Sequence, residues 1–222
     1  MIPRRRPQPS AIYGIADVRA LAPTALPDAV EELADAGLEW IQLRWKEPDD
    51  RRFYDLVAAT LERLEGRSVA LWIDDRADLA ALFPVAGVHV GQRDLPPAAV
   101  RRVVGPDCWI GQSTHDLDQV RRAHDDPDVD VVALGPIFPT VNKQNPDPVV
   151  GLDGLRQARA ATDKPLVAIG GIDADRLPEV LAAGADSAAV LGAVTQAPRP
   201  RAVARLLAAA TAAVEVQGGT AR

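Results

Sequence analysis

Three polar side chains alternate along residues 42–46 and are suited to holding a diphosphate. Gln42, Arg44 and Lys46 are separated by single apolar residues, so on a β-strand all three would point to one face. Arginine offers a planar fork of N–H groups and lysine a mobile point charge, and the two together fit the oxygens of an anionic ligand. A solvated strand edge would show the same alternation, so both interpretations stay open for this stretch alone.

A second candidate anion site follows the apolar run at residues 131–134. The run has the composition of a strand that is buried on both faces of a parallel sheet, and it breaks at Gly135 into a long polar loop. The loop carries Thr140, Asn142 and Lys143. Donors and a cation at a strand end are typical of anion binding in α/β proteins, although an ordinary surface loop would have a similar composition.

Carboxylates follow two neighbouring predicted strands and could bind a divalent cation. Asp74 and Asp75 come directly after the third strand, and Asp94 comes after the fourth. Asp75 and Asp94 could hold Mg²⁺, which would also bind phosphate oxygens. The alternatives are a helix N-cap for Asp74 or Asp75 and an ordinary turn for Asp94.

The fifth predicted strand is followed by hydroxyl groups and a histidine. Ser113 and Thr114 could donate to an anion, and the helix that follows would add the backbone N–H groups of its N-terminus. His115 could be an acid or base near neutral pH. A histidine at a helix start is also commonly a cap or a packing residue.

Glycines end the seventh and eighth strands and would let backbone N–H groups approach a phosphate. Gly170 and Gly171 follow the seventh strand, and Leu191 and Gly192 follow the eighth. The loops at these positions form the usual phosphate site of a barrel with eight βα units. We therefore expect a side-chain pole with metal at strands two to six and a backbone pole at strands seven and eight.

Short β-branched runs alternate with helical patterns along the whole chain, which predicts βαβ units and a parallel sheet. The predicted strands are 11–15, 40–43, 69–73, 87–90, 109–111, 129–134, 166–169 and 187–191. The predicted helices are 26–36, 50–64, 76–82, 97–103, 117–123, 152–162, 174–183 and 199–216. Eight units predict an α/β fold, a single-domain TIM (β/α)8 barrel at residues 11–216, with a flexible arm at 1–10 and a frayed tail at 217–222.

Composition excludes several classes of function. The chain has 222 residues, 47% of them hydrophobic, and a net charge of −6, so it can fill a core and builds no basic surface for nucleic acid. The single cysteine, Cys108, excludes an intrachain disulfide and is expected to be buried. No apolar run reaches a membrane span, and the N-terminus lacks the apolar segment of a signal peptide. A cytoplasmic enzyme or binding protein is expected, and a homo-oligomer stays open.

Several of these motifs, in this order and spacing, resemble thiamine phosphate synthases over nearly the whole chain. The resemblance implies a TIM-barrel enzyme that joins 4-amino-2-methyl-5-hydroxymethylpyrimidine diphosphate to hydroxyethylthiazole phosphate and releases pyrophosphate. The segments that carry it are 13–17, 42–46, 75–76, 87–95, 111–115, 135–140 with Lys143, 168–172 and 189–192.

The resemblance also implies roles for single residues. The pyrimidine diphosphate would be held by Gln42, Arg44, Lys46, Ser113 and Lys143, of which Arg44, Ser113 and Lys143 would serve catalysis. Mg²⁺ would be bound by Asp75 and Asp94. The thiazole phosphate would be received by Thr140, Asn142, Gly171 and the turn at Leu191 and Gly192. In such enzymes the diphosphate leaves first, and the thiazole nitrogen traps the resulting pyrimidine-methyl cation.

Three positions depart from the family pattern. Asp74 stands where asparagine is usual, Asn142 where threonine is usual, and Gly192 where serine is usual. An aspartate cannot donate to a diphosphate and would repel it unless a metal lay between them. We therefore expect the backbone pole to be retained and the metal end of the site to be rearranged.

Two other functions fit parts of the pattern. A thiazole tautomerase of the same superfamily would be an isomerase with His115 as its proton carrier. A non-catalytic protein that binds a thiamine-related phosphate would tolerate Asp74. The tautomerase would not need the cations and carboxylates that Arg44, Lys46, Asp75 and Asp94 supply.

Overall fold

The structure, a computed structural model, describes residues 8–140, 147–195 and 199–219. Its parallel strands are β1 Ile12–Asp17, β2 Trp40–Arg44, β3 Ala70–Asp74, β4 Gly87–Val90, β5 Trp109–Thr114, β6 Val131–Leu134, β7 Leu166–Ile169 and β8 Ser187–Val190. Its α-helices are α1 Leu26–Asp35, α2 Asp50–Arg63, α3 Ala77–Leu82, α4 Pro97–Val104, α5 Leu117–Asp125, α6 Gly151–Ala161, α7 Leu177–Ala182, α8 Gly192–Thr195 and α9 Arg199–Gly219.

The eight strands close into one barrel in sequence order, which confirms the predicted fold. Each strand pairs in parallel with the next, and β8 pairs with β1 through Tyr13 and Ala189. Because all strands run the same way, the segments that follow their C-terminal ends meet at one rim. None of the helices within the described ranges combines the length and apolar character needed to cross a membrane.

Several element boundaries differ from the sequence prediction. The fifth strand was predicted to end at Gly111 and continues to Thr114, which places Ser113 on the strand rather than in a loop. The short helix α8 and a 3₁₀ turn at Pro23–Ala25 were not predicted. The last helix continues to Gly219, three residues beyond the predicted end at Val216.

Aromatic side chains fill the N-terminal half of the barrel interior. Tyr13, Trp40, Trp72 and Trp109 pack with ring centroids 5.1–6.0 Å apart. Trp72 lies over Gly87, where a Cβ atom would come within 2.4 Å of the indole. Among the described residues, these four rings form an aromatic floor on the side of the barrel opposite the C-terminal rim.

A second apolar layer lies between the strands and the surrounding helices. Outward-facing strand residues such as Ile41 and Leu43 are fully buried there against helix residues such as Leu26 and Phe53. Burying a large aliphatic or aromatic side chain of this kind contributes about 1.5–3 kcal/mol. Cys108 is also buried, as predicted.

Candidate active site

A row of alternating charges crosses the first three strand ends. Asp17 is the residue opposite Arg44 in the β1–β2 ladder, and Asp74 is the next inward-facing carboxylate on β3. Arg44 Nη1 donates to Asp17 Oδ2, and Arg44 Nε lies 3.4 Å from Asp74 Oδ2. Both carboxylates are buried, whereas the Arg44 side chain keeps 26% of its surface exposed. The guanidinium is therefore held at the rim between two acids.

Lys46 extends the row by one more cation. Its ammonium lies 2.9 Å from Asp74 Oδ2, without the alignment of a hydrogen bond, and donates to Asp75 Oδ2. The predicted common face of Gln42, Arg44 and Lys46 is confirmed, since all three reach side chains of the barrel interior or rim. The structure thus brings together five of the residues expected at the side-chain pole.

Asp75 has an unusual backbone that turns its carboxylate toward the rim. It is the one described non-glycine residue with a left-handed conformation, with φ of 61°, and such a conformation costs about 1–3 kcal/mol. Its N–H donates to the His89 carbonyl at 2.8 Å, which continues the β3–β4 ladder. The alternative of a helix N-cap is wrong for Asp74 and Asp75, because Arg76 precedes α3 and makes no side-chain cap.

The buried charges shift one another's pKa values. Burial raises the pKa of Asp74, and the nearby Lys46 and Arg44 offset only part of that rise. Burial and the charge of Asp74 raise the pKa of Asp75 in the same way. Burial lowers the pKa of Lys46, but the two carboxylates outweigh it and leave that pKa raised. Lys46 is therefore cationic at neutral pH, and it is enclosed by acids.

Asp94 faces the same cluster from the loop after β4. Its charge acts on the pKa values of Asp74, Asp75 and His89, which places it near all three. Its Oδ2 accepts from the Gly91 N–H at 2.7 Å, so the alternative of an ordinary turn also describes its local structure. Within the described residues, no group of three or more acidic, histidine or cysteine side chains has the spacing of a complete metal site.

Carboxylate chemistry at this end of the rim nevertheless suits a hard divalent cation. Asp74 Oδ2 is buried without an aligned hydrogen bond from the described residues, and two cations already lie beside it, Lys46 at 2.9 Å and Arg44 Nε at 3.4 Å. Asp75 and Asp94 add oxygen ligands of the type that Mg²⁺ prefers. The residues present therefore fit such an ion.

Gln42 and Tyr13 form a hydrogen-bonded pair below the charged row. Gln42 Nε2 donates to the Tyr13 hydroxyl oxygen at 3.1 Å, and both side chains are buried. Burial raises the pKa of Tyr13 well above its ordinary value, so its hydroxyl stays neutral. This bond fixes the plane of the Gln42 amide just above the aromatic floor.

Ser113 is bound by His89 across the β4–β5 ladder. His89 Nε2 and Ser113 Oγ share a hydrogen bond of 2.8 Å, and Gln92 Nε2 donates to the Ser113 carbonyl at 2.6 Å. Burial lowers the pKa of His89 to about 4, with Lys46 adding to the effect and Asp75 and Asp94 opposing it. His89 is therefore neutral at physiological pH and can orient the hydroxyl of Ser113.

The expectation that Thr114 and the next helix also serve an anion is wrong. Thr114 is completely buried and its Oγ1 donates to the Ala133 carbonyl at 2.9 Å, because strand alternation turns it away from the face of Ser113. The N-terminus of α5 is capped by the Asp116 carboxylate, which accepts from the Gln119 N–H at 2.7 Å.

His115 lies at the rim, but one ring nitrogen is engaged. Its Nδ1–H donates to the Gly135 carbonyl at 2.7 Å, and Asp147 Oδ2 lies 3.5 Å from the same nitrogen. The ring thus connects the segment after β5 to the segment after β6. A packing role, one of the predicted alternatives, describes these contacts.

The backbone pole is built by two interlocked loops. Gly170 and Gly171 both have left-handed backbones, with φ of 104° and 65°. Ile137 N–H donates to Ile169 O at 2.9 Å and Phe138 N–H to Gly170 O at 3.0 Å, so the segments after β6 and β7 pair directly. A Cβ atom on Gly171 would lie 2.7 Å from the Pro139 carbonyl oxygen. Only glycine fits this approach.

The remaining predicted residues lie at the same rim or outside the described ranges. Leu191 packs onto the interior apolar cluster and Gly192 begins α8, where the N–H groups of Val194 and Thr195 donate to the Leu191 carbonyl at 3.1 Å each. Thr140 follows the paired segment after β6 and is half-buried. Asn142 and Lys143 lie outside the described residues, so their predicted roles stay predictions.

Sequence reasoning assigned no role to four residues that shape the site. Asp17, Tyr13 and His89 orient Arg44, Gln42 and Ser113. Arg176 donates to the Gly171 carbonyl at 2.6 Å and lies 4.7 Å above the Phe138 ring. Strand alternation could have placed Asp17, Tyr13 and His89 inside the barrel, but their partners depend on strand register, which the sequence does not state.

Comparisons with known proteins agree with this geometry. A sequence model described as thiamine monophosphate synthase matches residues 12–194. The chain is 45% identical over 195 residues to the thiamine-phosphate synthase of Koribacter versatilis, covering 86% of this chain and 92% of that protein. It is 47% identical over 191 residues to the one of Mycolicibacterium vanbaalenii, covering 80% and 85%.

A solved structure gives the same result at the level of the fold. The thiamine phosphate pyrophosphorylase from Pyrococcus furiosus superposes with a TM-score of 0.82 and 28% sequence identity. The superposition covers 91% of this chain and 96% of the other. Since the family match spans the barrel from β1 to α8, the chain belongs to the thiamine monophosphate synthase family.

Proposed function

We propose that the protein is a thiamine phosphate synthase, a transferase that joins 4-amino-2-methyl-5-hydroxymethylpyrimidine diphosphate to hydroxyethylthiazole phosphate and releases pyrophosphate. Relatives that carry the name thiamine-phosphate synthase match most of the chain. The observation that carries the proposal is the charged row at the rim, where Arg44 and Lys46 stand between Asp17, Asp74 and Asp75.

The side-chain pole would bind the diphosphate and stabilise its departure. Negative charge grows on the diphosphate as its bond to the pyrimidine methylene breaks, and fixed cations stabilise that charge more than they stabilise the substrate. Arg44 and Lys46 would supply this stabilisation, and Lys143 would add a third cation from the loop after β6. The reaction then needs no nucleophile from the protein.

We propose Mg²⁺ as the cofactor, with Asp75 and Asp94 as its protein ligands. The fit of the site rests on their carboxylate oxygens, which are the type of ligand that Mg²⁺ prefers. When bound, Mg²⁺ would neutralise part of the charge on the diphosphate oxygens. Asp74 would then face the cation rather than the diphosphate, which accounts for an acid at this position.

The pyrimidine ring would lie above the aromatic floor, between Gln42 and Ser113. The Gln42 amide is oriented by Tyr13 and the Ser113 hydroxyl by His89, so each presents one polar group to the ring with little freedom to rotate. The aromatic floor would exclude water from below, which protects a pyrimidine cation from hydrolysis.

The backbone pole would receive the phosphate of the thiazole substrate. Gly170, Gly171, Leu191 and Gly192 would offer N–H groups, with Thr140 and Asn142 adding side-chain donors. The distance between the two poles across the barrel mouth would keep the two phosphorylated groups apart and bring the two rings together.

The rival isomerase and the non-catalytic binding protein receive no support from the comparisons, whose relatives carry synthase names. A cytoplasmic location stays a prediction from the sequence.

A direct assay tests the proposal. The purified protein is incubated with both phosphorylated substrates and Mg²⁺, and thiamine phosphate and pyrophosphate are quantified. Equal amounts of both products are expected, with loss of turnover in EDTA and recovery when excess Mg²⁺ is restored. Absence of thiamine phosphate with Mg²⁺ present would contradict the proposal, and EDTA-resistant turnover would contradict the metal assignment.

A further inference from the structure

We infer that Asp17 is a positioning residue, which orients the guanidinium of Arg44 so that one edge faces the diphosphate. The inference rests on the proposed function in one respect, that Arg44 binds the diphosphate. It adds a residue outside the predicted set of substrate and metal contacts. Asp17 itself would touch neither substrate.

Arg44 makes one side-chain hydrogen bond and one further ion pair, through two of its three nitrogen atoms. Nη1 donates to Asp17 Oδ2, and Nε lies 3.4 Å from Asp74 Oδ2. Nη2 makes no hydrogen bond to the part of the chain that the structure describes. Because the guanidinium is planar, fixing Nη1 and Nε also fixes the direction of Nη2, which is the group left for a ligand.

Asp17 can do this because its own carboxylate is immobile. It is the last residue of β1 and only 3% exposed. Its Oδ1 accepts from the Arg19 N–H at 2.8 Å, and its carbonyl accepts from the N–H groups of Ala20 and Leu21 at 3.0 Å each. With one oxygen engaged in the turn, the other is aimed at Arg44 in the neighbouring strand.

Two physical effects of Asp17 act in opposite directions on anion binding. Its negative charge weakens the positive potential that Arg44 presents, which by itself would reduce affinity for a diphosphate. Its orientation of a long, flexible side chain removes the conformational entropy that binding would otherwise cost, which increases affinity. A buried acid at this position therefore favours diphosphate binding only if the gain in affinity from orienting Arg44 exceeds the loss in affinity from the negative charge.

The variant Asp17→Asn distinguishes the two effects, because loss of the charge alone would strengthen anion binding and loss of the orientation would weaken it. Asparagine keeps the size of the side chain and an oxygen for the Arg19 N–H, but it removes the charged partner of Arg44. Calorimetric titration with pyrophosphate and Mg²⁺ is expected to show binding roughly tenfold weaker than in the wild type. KM for the pyrimidine diphosphate should rise in parallel, while KM for the thiazole phosphate stays unchanged.

Two further variants exclude a merely structural effect. Asp35→Asn removes one negative charge from a surface carboxylate that pairs with Arg67 and is 59% exposed, and it should leave pyrophosphate binding unchanged. In an Arg44→Gln background, Asp17→Asn should cause no further loss, because its effect passes through Arg44. If Asp17→Asn does not fold, Asp17→Ser keeps an acceptor for the turn and replaces it.

Tighter pyrophosphate binding in Asp17→Asn, or an equal loss in the presence and absence of Arg44, would overturn the inference. A wild-type protein that binds pyrophosphate with Mg²⁺ but makes no thiamine phosphate would count against the proposed function alone, since the binding comparison could still be made. A wild-type protein that fails to bind pyrophosphate would count against both.

Discussion

The two poles of the rim are proposed to bind phosphate with different parts of the chain. The side-chain pole, at the ends of β1 to β5, uses long charged side chains that are held in place by other side chains. The backbone pole, after β7 and β8, would use peptide groups that are held in place by glycine conformations and by pairing with the segment after β6. Single substitutions should therefore remove a charged contact at the side-chain pole and change the loop conformation at the backbone pole.

The difference suits the two ligands proposed for the poles. A diphosphate that departs gains charge during the reaction, and cations that neighbouring carboxylates hold in position can stabilise that charge. A phosphate that only anchors a substrate needs the same contacts before and after the reaction, and fixed N–H groups supply them without any rearrangement. The comparison thus predicts effects on kcat and on KM for the pyrimidine diphosphate at the side-chain pole, and effects on KM for the thiazole phosphate at the backbone pole.

The largest effect is expected from Lys46→Ala. Loss of the ammonium removes a cation next to the proposed leaving group, so kcat should fall by about 10²–10³-fold. KM for the thiazole phosphate should stay within about twofold, since the ion pairs of Lys46 with described residues are to Asp74 and Asp75, at the side-chain pole. Steady-state kinetics with each substrate varied separately checks both values.

Arg63→Gln is the matched control for that prediction. It also removes one positive charge, but from a surface cluster with Asp28 and Glu31 on the outer helices. Its kinetic constants should equal those of the wild type. A Lys46→Ala variant that changes KM for the thiazole phosphate as much as kcat would contradict the separation of the poles.

His89, at the side-chain pole, should make the free energy of unfolding of the protein depend on pH. Its pKa falls from 6.5 to about 4 on folding, so the unfolded chain binds more protons than the folded one between these values. The contribution of His89 to the free energy of unfolding therefore rises with pH across this window and is fully present above pH 6.5. The contribution lost on acidification is at most about 3 kcal/mol.

Urea unfolding of the metal-free protein between pH 4 and 7 measures this dependence. The variant His89→Gln should show a flatter curve, because glutamine does not titrate. Equal slopes in the wild type and His89→Gln would show that His89 titrates normally.

Gly171→Ala tests the backbone pole. The new Cβ atom would lie 2.7 Å from the Pro139 carbonyl oxygen in a backbone with φ of 65°, so the paired loops must move apart. KM for the thiazole phosphate should rise about tenfold with kcat little changed, and the free energy of unfolding should fall by about 1–3 kcal/mol.

Gly105→Ala separates backbone strain from loop movement. Gly105 has a similar φ of 75° after α4, and a Cβ atom there meets nothing within 4 Å. It should therefore destabilise the protein slightly and leave both KM values unchanged. If Gly105→Ala raised KM for the thiazole phosphate as Gly171→Ala does, general destabilisation would explain the effect.

The sequence predicted the architecture and one face of the site, and it failed where register or backbone conformation decides the outcome. Period-two alternation was enough to place Arg44 and Lys46 together. Asp17 and His89 were missed because their partners lie on neighbouring strands, and the pairing of those strands is fixed only by the closed barrel. Thr114 was assigned wrongly because the strand extends three residues beyond its predicted end.

The smallest effect on KM is expected at Arg176. This charged side chain supports the backbone pole, so it tests whether the two poles differ in kind. Its Nη1 donates to the Gly171 carbonyl and its guanidinium lies over Phe138, so it connects the loops after β6 and β7. The residue is exposed, and such contacts contribute about 0.5–1 kcal/mol. Arg176→Gln should therefore raise KM for the thiazole phosphate about two- to fivefold.

Arg176→Lys distinguishes loop support from charge. Lysine keeps the cation but cannot both donate to Gly171 and stack flat on Phe138, so it should behave like Arg176→Gln if the loop contact matters. The control Arg156→Gln, on α6 with its side chain 57% exposed, should have no effect. Full activity in Arg176→Lys would mean that the arginine acts through its charge. The backbone pole would then depend on a charged side chain, as the side-chain pole does.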